Sequence, residues 1–166
     1  ITQTPVERKV KPMQVTNSEG SYAALTDRRI SEETATKYGV KVVHGSDGKP
    51  LEHHYPYYNG HELALTKIRK LVDAKGEKTK DFFTKGSFEE TGLFGEQLFN
   101  KGGKYITITE GECDAMATYE LMGSKWAAVS IKRGADGAER DVKDSLEFLE
   151  SFDNIIICFD KDKSGK

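Results

Sequence analysis

Cysteine is scarce in this chain, with two thiols, Cys113 and Cys158, in 166 residues. Two thiols cannot build a four-ligand zinc site alone. Each falls in or beside a predicted strand, which fits reduced, intracellular, buried spectators and not a disulfide framework. Long apolar runs are missing, so no membrane span and no membrane partner are expected. No basic leader followed by an apolar stretch and a cleavage site opens the chain, so no secretory signal is read. A surplus of positive charge is absent as well: 25 Lys and Arg stand against 27 Asp and Glu, a formal net charge of -2. That excludes bulk attraction to nucleic acid and requires any basic surface to be local. No internal repeat and no low-complexity tract is present. What remains is long enough for one ordinary domain or two small ones.

The most informative stretch is residues 105–114, YITITEGECD. Tyr105, Ile106, Thr107, Ile108 and Thr109 are β-branched or aromatic, the types that suit a pleated surface. The run breaks into Glu110-Gly111-Glu112-Cys113-Asp114. A helical pattern follows, with Ala115, Thr118, Tyr119 and Met122 at spacings of three and four, closed by Gly123. A strand that delivers acids to its C-terminal end and turns into a helix is half of an α/β unit, and ligands bind at such strand ends. Residues 154–159 form a second apolar run of the buried parallel-strand kind, ending in Asp160-Lys161-Asp162. Paired in one sheet, the two strands bring Glu110, Glu112, Asp114, Asp160 and Asp162 into one cleft. Five carboxylates there need a counter-charge. An oxygen-rich set of this kind suits Mg²⁺ or Mn²⁺.

In chain order, residues 1–14 have linker composition, with Pro5, Pro12 and scattered charge. Residues 21–25 read as a short helix. Ser31 is a fitting N-cap for a second, with Glu32 and Glu33 in its first turn and an end at Tyr38-Gly39. Together they suggest a helical hairpin. Residues 40–44, 51–58 and 62–71 are strand-like, and Asn59-Gly60 is a strong hairpin signal. An antiparallel meander carrying Lys67, Arg69 and Lys70 is therefore expected. A flexible basic segment with Lys75, Lys78 and Lys80 follows, after which Phe82 and Phe83 re-enter the core. Residues 100–103 form a hinge-like turn, which places a boundary between an N-terminal part, 15–100, and a C-terminal part, 101–166. In the latter, residues 126–131 are a third strand, 132–137 a glycine-bearing basic loop containing Arg133, and 141–152 one amphipathic helix with Val142, Leu146 and Leu149 on one face. Trp126 is read as core, and His53, His54 and His61 as surface residues near turns. The sequence opens without methionine and stops where a helix should follow, so it reads as a segment of a longer protein.

Each of these residues also has a plainer reading. Asp160-Lys161-Asp162 fits a solvated turn, and Glu112 and Asp114 favour a helix N-terminus through its dipole alone. Lys67, Arg69, Lys80 and Arg133 fit ordinary solvent-facing cations.

Glu110-Gly111-Glu112 at one strand end and Asp160-Lys161-Asp162 at another resemble the Toprim pattern shared by primases, topoisomerases and some nucleases. The likeness extends to Tyr22-Ala23-Ala24-Leu25-Thr26, Arg29-Ile30-Ser31, Lys67-Ile68-Arg69, Gly92-Leu93-Phe94-Gly95, Ser130 and Gly134-Ala135. Over residues 15–166 the chain resembles the primase half of the bifunctional primase-helicases of short-tailed phages. The resemblance implies an α+β N-terminal part, a helical hairpin with antiparallel strands, followed by a Toprim α/β part with a mainly parallel sheet. That sheet would continue beyond Lys166, often with another metal-site acid. The implied activity is synthesis of RNA primers on single-stranded DNA from ribonucleoside triphosphates, in the cytoplasm of an infected bacterium. The implied cofactor is Mg²⁺ or Mn²⁺, as two ions, held by Glu110, Glu112, Asp114, Asp160 and Asp162. Glu110 also matches the family's acid/base glutamate. Lys67, Arg69, Lys80 and Arg133 would meet the triphosphate or the template backbone, the first three also serving catalysis. An upstream zinc-binding domain and a downstream hexameric helicase are the implied partners. A Toprim nuclease or topoisomerase segment, and a non-catalytic module that binds DNA or a helicase, are the competing readings.

Overall fold

The computed structural model describes residues 19–161, so the linker expected at 1–14 lies outside the described residues. The first helix expected, at 21–25, does not form. Extended pairing wins instead: the Ser21 N–H donates to the Val42 carbonyl at 3.1 Å, and the Val42 N–H donates back at 2.8 Å. A 3-10 turn at Thr26–Arg28 follows, with Arg29 in the left-handed region at φ 56°. Helix α1, Glu32–Lys37, does form, and its Ser31 cap accepts from the Thr34 N–H at 3.2 Å. The helical hairpin is thus one short helix and one turn.

Four antiparallel strands make the first sheet, in the order β1 (Lys41–His44), β2 (Pro50–Asn59), β3 (Glu62–Lys70) and β4 (Phe82–Gly86). The β2–β3 hairpin turns at Asn59-Gly60 with Gly60 at φ 59°, as the dipeptide predicts. His53 pairs with Arg69, Tyr55 with Lys67 and Tyr57 with Leu65. Directly opposed residues share a face, so these six side chains stand on one side of the sheet. Phe82 and Phe83 do not re-enter the core. They open the edge strand β4 and are 48% and 39% exposed.

The second sheet is parallel, in the order β6 (Ala127–Ser130), β5 (Gly103–Thr109), β7 (Phe152–Cys158). Helix α2, Glu112–Leu121, connects β5 to β6. The single helix expected at 141–152 is two: α3, Ala138–Asp144, and α4, Leu146–Leu149. They break at Ser145, whose hydroxyl donates to Glu96 Oε2 at 2.7 Å, while Leu146 turns out to solvent. β7 also differs from expectation. Among the described residues it pairs on one side only, and Ile155, Ile156, Ile157 and Cys158 are exposed. Trp126 is half-buried, its ring edge-on to Tyr105 at 5.2 Å, and is not core.

The two sheets share one apolar cluster. Tyr38, Tyr55, Tyr57 and Phe94 from the first part meet Met116, Tyr119 and Ala128 from the second. The fastener is residues 93–95. Phe94 exchanges backbone hydrogen bonds with Ser130 at 3.0 and 3.2 Å, and its ring stacks on Tyr38 at 5.4 Å. Gly95 sits at φ 84°, and a Cβ there would lie 2.6 Å from the Tyr38 ring. A side chain is excluded there by both backbone and space. Tyr38 closes the joint by donating its hydroxyl proton to the Ala128 carbonyl at 2.7 Å.

Candidate active site

β5 runs straight into the acidic turn. Thr109 holds that turn, its hydroxyl lying 3.0 Å from the Gly111 carbonyl and 3.2 Å from the Val129 carbonyl. Gly111 leaves room for Asp114, since a Cβ at 111 would stand 2.8 Å from Asp114 Oδ2. β7 brings the second acidic turn alongside, and the Asp160 N–H points at Glu110 Oε2 at 3.4 Å. The Asp114 carboxyl is pushed above its usual range, first by burial and then by the negative charge of Asp160, with Arg28 opposing. Asp160 therefore stands beside Glu110 and within electrostatic reach of Asp114. Asp162 lies outside the described residues. No three metal-ligating side chains stand close enough to hold an ion among the described residues.

Glu112 is engaged by other partners, although its negative charge also helps to raise the Asp114 pKa. It is buried, and its Oε1 accepts from the Tyr57 hydroxyl at 2.6 Å and from Lys67 Nζ at 2.6 Å. Burial, then the Glu112 charge, raises the Tyr57 phenol well above its ordinary value, so it stays a proton donor. Lys67 also donates to the Lys132 carbonyl at 3.3 Å. An ammonium carries three N–H bonds, so one is left for a ligand.

The basic residues divide between two cavities. Lys67 and Arg133 line one of about 490 Å³, together with Phe82, Phe88 and Gly134. Arg69 and Lys80 line another of about 630 Å³, with Arg28, Lys49 and Lys78. Arg69 Nε is buried without a hydrogen-bond partner, and its guanidinium lies 5.7 Å from the Phe82 ring centre. Arg133 pairs with Asp141 and lies 5.2 Å over the Phe88 ring.

Three features were not legible in the sequence. Lys132 is not part of an exposed basic loop but fully buried. Its Nζ donates to the Thr91 carbonyl at 2.7 Å, and burial lowers its pKa against the opposing pull of Asp141. Asp141, also fully buried, accepts from the backbone N–H groups of Lys132 and Arg133 at 2.7 and 3.1 Å, which fixes that loop. Its position nine residues past Lys132 carries no pattern that betrays the contact. His53 and His54 are buried and not surface residues: on opposite faces of β2, His53 packs beside Tyr55 and Asp27 and His54 beside Glu52. His53 Nδ1 meets the Tyr55 hydroxyl at 3.1 Å, and Nε2 lies 3.0 Å from Asp27 Oδ1 without hydrogen-bonding alignment. Burial pushes His53 down to about 4, against the pull of Asp27. His61 is exposed. Cys113 is half-buried against the Tyr55 hydroxyl at 3.3 Å, and burial raises its thiol pKa.

Known proteins resemble this chain in sequence and in fold. The Toprim-like family matches residues 107–166. Over 150 residues the chain is 35% identical to the DNA helicase/primase of Enterobacteria phage T3, which takes in 90% of this chain and 25% of that protein. The chain thus spans about a quarter of that relative's length. The crystal structure of the primase fragment of the bacteriophage T7 primase-helicase protein matches with a TM-score of 0.76 at 34% identity, over 98% of this chain and 65% of that one. A chain from the structure of the T7 lagging-strand DNA polymerase interacting with primase domains of two gp4 subunits, bound to an RNA/DNA hybrid and dTTP, matches with a TM-score of 0.73 at 34% identity, over 88% of this chain and 70% of that one. By sequence and by fold, the chain belongs to the family of Toprim-containing primases found in phage primase-helicases.

Proposed function

We propose that this chain carries the polymerase centre of a primase: joining of ribonucleoside triphosphates into a short RNA on single-stranded DNA. The observation that carries the reading is the meeting of two charge sets. Asp160 meets Glu110 across the C-terminal ends of two adjacent parallel strands, with Asp114 of α2 in electrostatic reach of Asp160. Lys67 reaches the same end from the other sheet through its ion pair with Glu112.

The donor set fits Mg²⁺ or Mn²⁺, the hard cations that carboxylate oxygens suit. Burial first, and then the charges of Asp160 and Glu112, push the Asp114 carboxyl up against the pull of Arg28, and a cation beside these acids would relieve the repulsion between them. Glu110, Asp114, Asp160 and Asp162 are proposed to hold two ions, with Glu112 completing the set if it exchanges its lysine. When bound, such ions stabilise charge on the attacking and leaving oxygens of phosphoryl transfer. The chain's own residues do the rest. Glu110 accepts the proton of the attacking ribose hydroxyl. Lys67 offers its remaining N–H to a phosphate oxygen and Arg133 adds a donor in the same cavity, while Arg69 and Lys80, at the neighbouring cavity, are proposed to meet the template backbone. The full protein is proposed to act in an infected bacterium, with a zinc-binding domain and a hexameric helicase attached.

The test is RNA synthesis by the full-length protein on single-stranded DNA with labelled ribonucleoside triphosphates. Wild type should make short RNA only with divalent metal, and Asp160→Asn should abolish it. Undiminished synthesis by Asp160→Asn would remove the assignment, and metal-dependent shortening of the DNA would identify a nuclease.

A further inference from the structure

Phe82 is an unusual residue for the edge of a cleft. Apolar rings normally leave water, yet this one is 48% exposed on β4. β4 pairs with β3 so that Phe82 opposes Arg69 and Thr84 opposes Lys67, which puts all four on the face turned to the second sheet. Lys67 Nζ lies 4.9 Å and the Arg69 guanidinium 5.7 Å from the Phe82 ring centre. Across the same cavity Arg133 stands over Phe88. The aromatic surface is therefore interleaved with cations, and the cavity of about 490 Å³ is within the size of small-ligand sites. A ring open to solvent between cations is what a nucleobase with an attached phosphate requires: the base stacks and the phosphate meets the ammonium or guanidinium.

We infer that Phe82 is a base-stacking platform, and that the cavity between β4 and the Lys132–Gly134 loop takes one nucleobase with its phosphate held by Lys67 or Arg133. The inference deepens the polymerase reading by naming what this wall of the cleft holds. Two sources supply that chemistry, a free ribonucleoside triphosphate and a base of the DNA strand. Lys132 does not contact the ligand. Its buried ammonium ties the loop to residues 88–91 and keeps the opposite wall in place.

The test places a reporter on the platform. The chain has one tryptophan, Trp126, so Trp126→Phe combined with Phe82→Trp leaves a single indole at the proposed contact. Emission is titrated, without divalent metal, with ATP, inorganic tripolyphosphate, a short oligodeoxynucleotide and the same oligomer without bases. Quenching by ATP or by the intact oligomer, but not by its base-free counterpart, is expected, and the stronger quencher identifies the source. Equal responses to base-bearing and base-free probes, or none to any, overturn the inference. In the otherwise unaltered chain, Phe82→Ala and Phe82→Leu should each weaken binding of the base-bearing probe about ten-fold and leave tripolyphosphate unchanged. Full affinity in both variants also overturns it. Binding is read here apart from catalysis. Quenching without primer synthesis would cost the polymerase reading alone, and synthesis without quenching would cost the platform alone.

Discussion

Glu112 shows how one side chain serves packing and site together. It sits in the acidic turn, yet its carboxylate is committed to Tyr57 and Lys67. Removing one partner of a buried pair strands the other charge, so Glu112→Ala should destabilise by about 3 to 5 kcal/mol. Tyr57→Phe, which loses one hydrogen bond to a charged group, should cost about 2 kcal/mol. The double variant should fall short of the sum, since both act on one contact. Urea unfolding of the three variants checks this, and strict additivity would show the contact to be idle. His53 gives a pH signature. Its folded-state pKa is depressed from 6.5 to about 4. Between those values the unfolded chain binds a proton that the folded chain refuses, so stability is lost as pH falls through that window. The loss reaches about 3 kcal/mol at the acid end. Compared with wild type, His53→Gln should flatten the slope of unfolding free energy from pH 6.5 to 4.5. An unchanged slope would mean that His53 does not titrate this way. Asp27 accompanies the ring, while Arg69 and Arg28 add to the resistance against protonation.

Among the elements, the segment joining the sheets carries the sharpest prediction. Phe94 is fully buried and touches the rings of Tyr38, Tyr55 and Tyr57. Phe94→Ala should cost about 3 to 5 kcal/mol and lower the melting temperature of both sheets in one transition. Two separate transitions would show that the sheets do not share a core. Elements whose signals are local were legible in the sequence. Ser31 with two following glutamates marks α1, Asn59-Gly60 marks the β2–β3 turn, and the β-branched run 105–109 marks β5. Elements decided by distant partners were not. Residues 21–25 are held extended by Val42, α3 and α4 break where Ser145 meets Glu96, and β7 reads as buried although only β5 pairs with it here. β4 was hidden because Phe82 and Phe83 look like core residues and lie in the open.

For the whole molecule, a chain that is acidic in total still gathers cations locally, Lys67 and Arg133 around one cavity and Arg69 and Lys80 around another. The acidic strand ends could be read because each follows a β-branched run and stands at a strand terminus, where ligands bind in parallel sheets. The division of Lys67 and Arg133 from Arg69 and Lys80 could not, since it depends on how the first sheet lies against the second. The buried Lys132–Asp141 pair could not either, because both residues are ordinarily exposed and their contact is tertiary. The central claim is that Glu110, Asp114, Asp160 and Asp162 form a divalent-metal centre. Metal that binds the folded state alone raises the melting temperature by mass action. The most direct measurement is the thermal unfolding of this chain against MgCl₂ and MnCl₂, in wild type and in the double variant Asp160→Asn with Asp162→Asn. The wild-type midpoint should rise with either metal, at lower concentration for Mn²⁺ than for Mg²⁺. The double variant should be more stable without metal, having lost two like charges, and its midpoint should not move. A metal-dependent rise of the same size in the double variant would contradict the account.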